Sequence, residues 1–298
     1  MKARWLVLSG LAAMGMGAAT LPCLAAGAPT ITIEDDRGRT IHFETPPQRI
    51  ITLMPAHTET ICALGACERL VGTDRFSTWP ASVQALPKLG GLEDTPLERV
   101  VQLKPDVVIA PKSGRLNGRL ESLGVRVVAL EPTSLKELAR TIDALSRMIT
   151  GDSAKGQQML QGFEQRVQAA RARIPAAYKG QSVYYEVASN PYAAGQSSFI
   201  GEILQRLDLQ NIVPASMGPF PQLNPEFVIR AQPYLIMGSR NTIADMPRRA
   251  GWAHLQALKQ NRTCGFTPQQ GDVMVRPGPR LAEAADIVVD CLTHLPPR

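Results

Sequence analysis

The chain predicts an α/β fold of two Rossmann-like lobes, joined by one long interlobe helix and opened by an N-terminal β-hairpin. Three observations predict it. Apolar strand-like runs alternate with helical stretches in both halves of the 298 residues. A segment without strand signal separates the halves. A gapless internal repeat places equivalent elements in each half.

The first 26 residues have the layout of a secretory leader. Lys2 and Arg4 precede an apolar run from Trp5 to about Leu21, and small residues suit cleavage after Ala25 or Ala26. The run is short, which disfavours an anchor, and Pro22 before Cys23 disfavours a lipid attachment site. The first lobe, with its hairpin, spans 27–133. Thr30 to Ile33 and Thr40 to Phe43 alternate around Asp35-Asp36-Arg37-Gly38 and make the hairpin. Strands follow at Arg49–Leu53, Leu70–Thr73, Asp106–Ala110 and Val125–Leu130, with helices near 58–64, 97–103 and 115–123.

The interlobe segment spans 134–178. Met159, Leu160, Phe163, Val167, Ala170 and Ile174 recur at helical spacing, with Asp152 and Ser153 to cap the start and Pro175 to stop it. Such a helix of about 23 residues would run about 35 Å. The second lobe spans 179–298. Its strands are read at Ser182–Val187, Tyr234–Met237 and Asp272–Val275, and its last helix at Pro279–Leu292.

Composition bounds the function. The chain is 44% hydrophobic and 19% charged, ordinary for a globular protein. Its formal charge of +6 falls to about +4 without Lys2 and Arg4, and the positive residues are scattered, so nucleic acid is not an expected partner. Loss of the leader leaves Cys62, Cys67, Cys264 and Cys291. In an oxidising compartment an even number suits disulfides, Cys62 with Cys67 and Cys264 with Cys291; buried free thiols are the alternative. No G-x-G-x-x-G follows a strand, and there is no phosphate-binding loop or G-x-S-x-G elbow, so no enzyme is expected. The four histidines, His42, His57, His254 and His294, are dispersed, and no bare-metal site is expected. Nothing signals oligomerisation, so a monomer is expected.

The repeat is the most informative feature. Residues 96–110 and 224–238 align without a gap. Each reads as a short helix opened by a glutamate, a proline turn and a buried strand. One glutamate in a first helical turn is explained by the helix dipole. Two equivalent ones, Glu98 and Glu226, present similar negative points on one face, a pattern a two-fold symmetric partner with basic pockets would read.

Ligands of open α/β sheets bind at the carboxyl ends of strands. The loops there carry His57, Phe76, Trp79, Tyr192, Phe220, Asp272 and Arg276. Aromatic residues are only 5% of the chain, and four of them fall in these loops, as flat apolar surfaces for a large ligand. Each could equally belong to the core. His57 could reach a metal centre or a ligand hydrogen bond, or serve as a structural histidine. Asp272 and Arg276 could form a local ion pair or orient polar ligand edges.

Several segments then resemble a known family: Asp35-Asp36-Arg37-Gly38-Arg39, Pro46 to Leu53, Pro55-Ala56-His57-Thr58-Glu59, Leu97-Glu98-Arg99, Leu103-Lys104-Pro105-Asp106 and the Pro225-Glu226 pair. The chain resembles the periplasmic binding proteins for vitamin B12, ferric siderophores and haem, which have a rigid helical backbone between lobes. The likeness covers nearly the whole mature chain. It implies capture of a cobalt or iron chelate, with no resident cofactor, and delivery to a dimeric ABC permease whose arginines receive Glu98 and Glu226. Vitamin B12-binding members look most similar, with cleft aromatics at Phe76, Trp79, Tyr192 and Phe220 and a polar pair at Asp272 and Arg276. Two positions depart from them: Leu92 replaces a tryptophan and His57 an asparagine, and His57 also suits haem. Siderophore binders carry cleft arginines, for which Arg75, Arg115, Arg240 and Arg276 are candidates. A chelatase-like enzyme and a ligand sensor are the other readings.

Overall fold

The computed structural model describes Met1 and residues 30–91, 93–189 and 191–295. The leader and Leu92 lie outside the described residues. The chain opens with β1 (Ile31–Glu34) and β2 (Thr40–Phe43), paired antiparallel from Ile31 opposite Phe43 to Glu34 opposite Thr40. The turn between them is fixed by Asp35, which is buried. Its carboxylate accepts N–H bonds from Arg37 (2.9 Å), Arg39 (3.1 Å) and, across to the first lobe, Ala129 (3.2 Å). Burial alone would raise this carboxyl; the Arg37 side chain and these N–H groups outweigh it and hold it below the usual range.

The first lobe runs β3 (Ile50–Thr52), α1 (Pro55–Ala63), β4 (Leu70–Thr73), α2 (Leu97–Gln102), β5 (Val107–Ala110), α3 (Asn117–Ser122) and β6 (Val127–Ala129). The sheet is parallel, in the order β4-β3-β5-β6. Its strands are continuous apolar runs because both faces are covered. Ile50, Val107, Ile109 and Val128 pack toward the hairpin and α1, while Ile51, Val108, Ala110 and Val127 pack toward α2 and α3.

Two helices bridge the lobes where one was expected. α4 (Leu135–Thr150) starts at Ser134, whose hydroxyl accepts the Glu137 N–H. It ends at Gly151 in the left-handed region, at φ 86°. Leu135, Leu138 and Ile142 join the second lobe's core, and Leu145, Met148 and Ile149 join the first lobe's. α5 (Ala154–Ala172) returns; its 19 residues extend about 28 Å. Asp152, not Ser153, supplies its starting cap, accepting the Ala154 N–H at 2.9 Å. An antiparallel helical hairpin thus forms the spine between the lobes.

The second lobe runs β7 (Ser182–Ala188), β8 (Tyr192–Ala193), α6 (Phe199–Arg206), β9 (Gln210–Asn211), α7 (Pro225–Ala231), β10 (Leu235–Ser239), α8 (Arg240–Asp245), α9 (Gln256–Lys259), β11 (Thr263–Phe266), α10 (Pro268–Val275) and α11 (Leu281–His294). The order is β11-β10-β7-β8, with β9 also on β7, and only β8 is antiparallel. Residues 272–275 are therefore the last turn of α10 and not a strand. Thr267 and Gln270 form a reciprocal capping box with Pro268 at the first turn, which commits the segment to a helix. The strand expected there is β11, with Cys264 and Phe266 buried.

Both disulfides form as paired from the sequence. Cys62–Cys67 closes the turn after α1, and Cys264–Cys291 ties β11 to α11. The repeat also holds in three dimensions. α2 then β5, and α7 then β10, are joined through a residue in the left-handed region before a proline: Lys104 at φ 45° and Gln232 at φ 43°. Non-glycine residues seldom adopt this conformation, so its recurrence at aligned positions marks one structural unit used twice.

Candidate functional site

The carboxyl ends of the first lobe's strands face the end of α10. Met54, Pro55 and Ala56 after β3, and Arg75, Phe76 and Thr78 after β4, line a cavity of about 450 Å³ with Asp272, Val275, Arg276 and Pro277. This joins Phe76, Asp272 and Arg276 from the expected site. Phe76 is 57% exposed and Trp79 41%. Tyr192, on β8, is 41% exposed, and Phe220 is half-buried against Phe199 at 5.4 Å between ring centres. Tyr192 and Phe220 belong to second-lobe loops and do not line that cavity.

The two lobes meet at an ion-pair cluster the sequence did not reveal. Glu59 on α1 is 1% exposed. Arg280 donates to both its oxygens (2.9 and 2.8 Å), and Arg276 to one (2.9 Å). Arg276 also donates to the Phe76 carbonyl at 3.1 Å and pairs with Asp272 at 2.7 Å. Arg280 lies 4.6 Å over the Trp79 ring. The two second-lobe arginines thereby hold the first lobe's aromatic loop by its backbone and by its ring.

The loop is braced from below as well. Thr52, Thr58 and Ser77 form a buried hydroxyl chain with 2.7 Å links, ending on the Asp74 carboxylate. Asp74 also accepts the Phe76 N–H at 2.8 Å. Burial pushes the Asp74 carboxyl up, opposed by Ser77, the Phe76 N–H, Arg276 and Lys88. The Lys88 ammonium donates to Thr73 Oγ1, the Ser77 carbonyl and the Val83 carbonyl, using all three protons.

Of the four candidate cleft arginines, only Arg75 and Arg276 line the cavity. Arg75 is paired with Asp94, Arg115 reaches Glu93 at 3.1 Å, and Arg240 lies against the Gly265 carbonyl. Among the described residues no group of three or more His, Cys, Asp or Glu side chains could hold a metal ion, and no helix is long and apolar enough to cross a membrane.

His57 lies beneath the cleft. Its ring is 1% exposed, and neither nitrogen has a hydrogen-bond partner among the described residues. Burial pushes the imidazole down to about 4. Because the folded value lies below the unfolded one, the unfolded chain takes up the proton first. Stability is then full above about pH 6.5 and falls by about 3 kcal/mol as the pH drops toward 4. Denaturant unfolding across this range should show that decline in the wild type and a shallower one in His57→Leu. Parallel curves would show that His57 carries none of it.

Glu98 and Glu226 open α2 and α7, are exposed, and have no ion-pair partner among the described residues.

Two parallel-sheet lobes, braced by a helical hairpin and facing each other across aromatic-bearing loops, define a two-lobed solute-binding protein. The chain belongs to the periplasmic binding protein family, whose model matches residues 50–269. It is 29% identical over 245 residues to the vitamin B12-binding protein of Vibrio parahaemolyticus, covering 80% of this chain and 87% of that one. It is 26% identical over 273 residues to an uncharacterized ABC transporter substrate-binding lipoprotein of Bacillus subtilis, covering 88% and 85%. The crystal structure of the periplasmic vitamin B12 binding protein BtuF of Vibrio cholerae matches with a TM-score of 0.69 at 29% identity, over 84% of this chain and 98% of that one. A possible iron-binding periplasmic solute-binding protein from Staphylococcus epidermidis matches with a TM-score of 0.71 at 26% identity, over 83% and 99%.

Proposed function

We propose that this protein is the substrate-binding component of an ABC importer, capturing a corrinoid in the interlobe cleft and delivering it to a dimeric permease at the inner membrane. The observation that carries the ligand class is the pairing of the cleft charges. Arg75, Arg276 and Arg280 are each neutralised, by Asp94, by Asp272 with Glu59, and by Glu59. Exposed aromatic faces with balanced charge suit a large macrocycle of low net charge better than a polyanionic siderophore. The vitamin B12-binding names among the relatives agree with this. Phe76, Trp79, Tyr192 and Phe220 supply apolar contact, and Asp272 and Arg276 supply polar orientation. The metal arrives inside the chelate, and the protein's role is binding without catalysis.

Glu98 and Glu226 dock onto basic pockets of the two permease subunits. The protein acts as a monomer outside the inner membrane, after cleavage near Ala25 or Ala26, and its two disulfides suit that oxidising compartment.

The test pairs calorimetry with uptake. The mature protein and its Glu98→Ala/Glu226→Ala variant are titrated in parallel with cyanocobalamin, haemin and a ferric hydroxamate. Both should bind cyanocobalamin one-to-one at submicromolar Kd, and only the wild type should support uptake. Binding of haemin or the hydroxamate alone would replace the corrinoid with that chelate. Undiminished uptake by the variant would remove the docking role of the glutamates.

A further inference from the structure

Besides Met1, seven large apolar side chains are exposed among the described residues. Five of them, Phe76, Trp79, Tyr192, Met217 and Val275, sit on the loops around the cleft or at the end of α10. The other two, Val101 at 39% and Leu123 at 54%, stand together elsewhere. They line one groove of about 490 Å³ with Glu98 and Arg119. Val101 is three residues after Glu98, so it neighbours Glu98 on the surface of α2. Leu123 directly follows α3. Arg119, like Glu98, is exposed and has no ion-pair partner among the described residues. Exposed apolar side chains gathered between unpaired charges are a mark of an interaction surface.

The geometry points to this groove as an apolar half of the docking surface, taking an apolar side chain from a permease loop that also carries a basic residue for Glu98 and an acidic one for Arg119. The inference rests on the reading of Glu98 as a docking carboxylate, and deepens it. The aligned second-lobe positions do not repeat it among the described residues. Ile229 stands where Val101 does in the repeat, but it is half-buried, and its Cδ1 packs so closely on Gly251 that a Cβ there would meet it at 2.8 Å. Phe227, in place of Arg99, packs against the second lobe's core. The first-lobe contact is therefore apolar and charged, and the second-lobe contact is charged only. Charge contacts weaken with salt and apolar ones do not. The first lobe should hold the permease when salt has stripped the second.

The experiment measures binding of the mature protein to its cognate permease–ATPase complex in lipid nanodiscs, at about 0.05 and 0.5 M NaCl. Val101→Asp/Leu123→Asp, and the gentler Leu123→Gln, should weaken binding at both salts, the former about tenfold, with melting temperatures unchanged. Glu226→Ala should weaken it at low salt only. Wild-type binding by both groove variants, while Glu98→Ala/Glu226→Ala binds weakly, overturns the groove and leaves the docking carboxylates standing. Wild-type binding by the glutamate variant overturns the docking reading itself. A wild-type dimer in sedimentation that Leu123→Gln dissolves assigns the groove to a second copy of this chain and also overturns the proposal.

Discussion

Glu59→Ala should destabilise the protein by about 3 kcal/mol, more than any exposed ion pair in it could account for. The carboxylate is 1% exposed, and its two partners, Arg276 and Arg280, have side chains only 9% and 16% exposed. Removing it leaves two largely buried guanidinium groups facing each other without the carboxylate they share. Arg276 keeps Asp272 at 2.7 Å, so part of its charge stays compensated. That is why the lower end of the usual 3–5 kcal/mol range is the right expectation. By contrast Arg171–Asp208, with side chains 57% and 33% exposed, should contribute under about 1 kcal/mol. At about 2–4 °C per kcal/mol for a domain of this size, the melting temperature should fall by roughly 10 °C. Glu59→Gln keeps the shape and one acceptor, and should fall between. Scanning calorimetry decides: a melt within about 2 °C of wild type for Glu59→Ala would mean that the cluster does not brace the lobes. A double cycle with Arg280→Ala separates the pair's coupling from the loss of packing on Trp79.

The β/α order was legible because a parallel sheet covered on both faces writes itself as short apolar runs, and Leu70–Thr73 matches residue for residue. The equivalence of Glu98 and Glu226 was legible from the repeat, since the Lys104 and Gln232 turns force the same helix–strand geometry in each lobe. β11 was not: Thr-Cys-Gly-Phe is four residues with a glycine inside, too little apolar pattern to stand out. Asp272–Val275 carries the short apolar run Val-Met-Val of a buried strand, and its helical fate is set upstream by Thr267, Pro268 and Gln270. The second bridging helix was signalled by Ser134 with Glu137, a capping pattern, and by Gly151 as a stop. Glu59 gave no such signal. Its partners lie 217 and 221 residues further along the chain, and only tertiary folding brings them together. Its local context, among Thr58, Thr60 and Ile61, all buried, is the one trace it leaves. A carboxylate buried on a helix needs a partner from elsewhere.

That brace sets the expectation for the ligand. Phe76→Ala should weaken cyanocobalamin binding about thirtyfold and leave the melting temperature unchanged. Phe76 is 57% exposed, so it contributes little to folding and offers its face to whatever enters the cavity. Burying such a ring is worth about 2 kcal/mol, or roughly thirtyfold in Kd. Its loop is held in advance by Arg276 on the Phe76 carbonyl and by Asp74 on the Phe76 N–H, so binding need not order it. Phe220→Ala should behave differently. Phe220 is half-buried against Phe199, and its loss should cost stability along with affinity. Trp79→Ala should resemble Phe76→Ala in affinity, with a small loss of stability because Arg280 stacks on the ring. Calorimetric titration of the three variants separates the cases. Unchanged affinity in both Phe76→Ala and Trp79→Ala would move the ligand off the first lobe's loop, toward the second-lobe surface of Tyr192 and Met217.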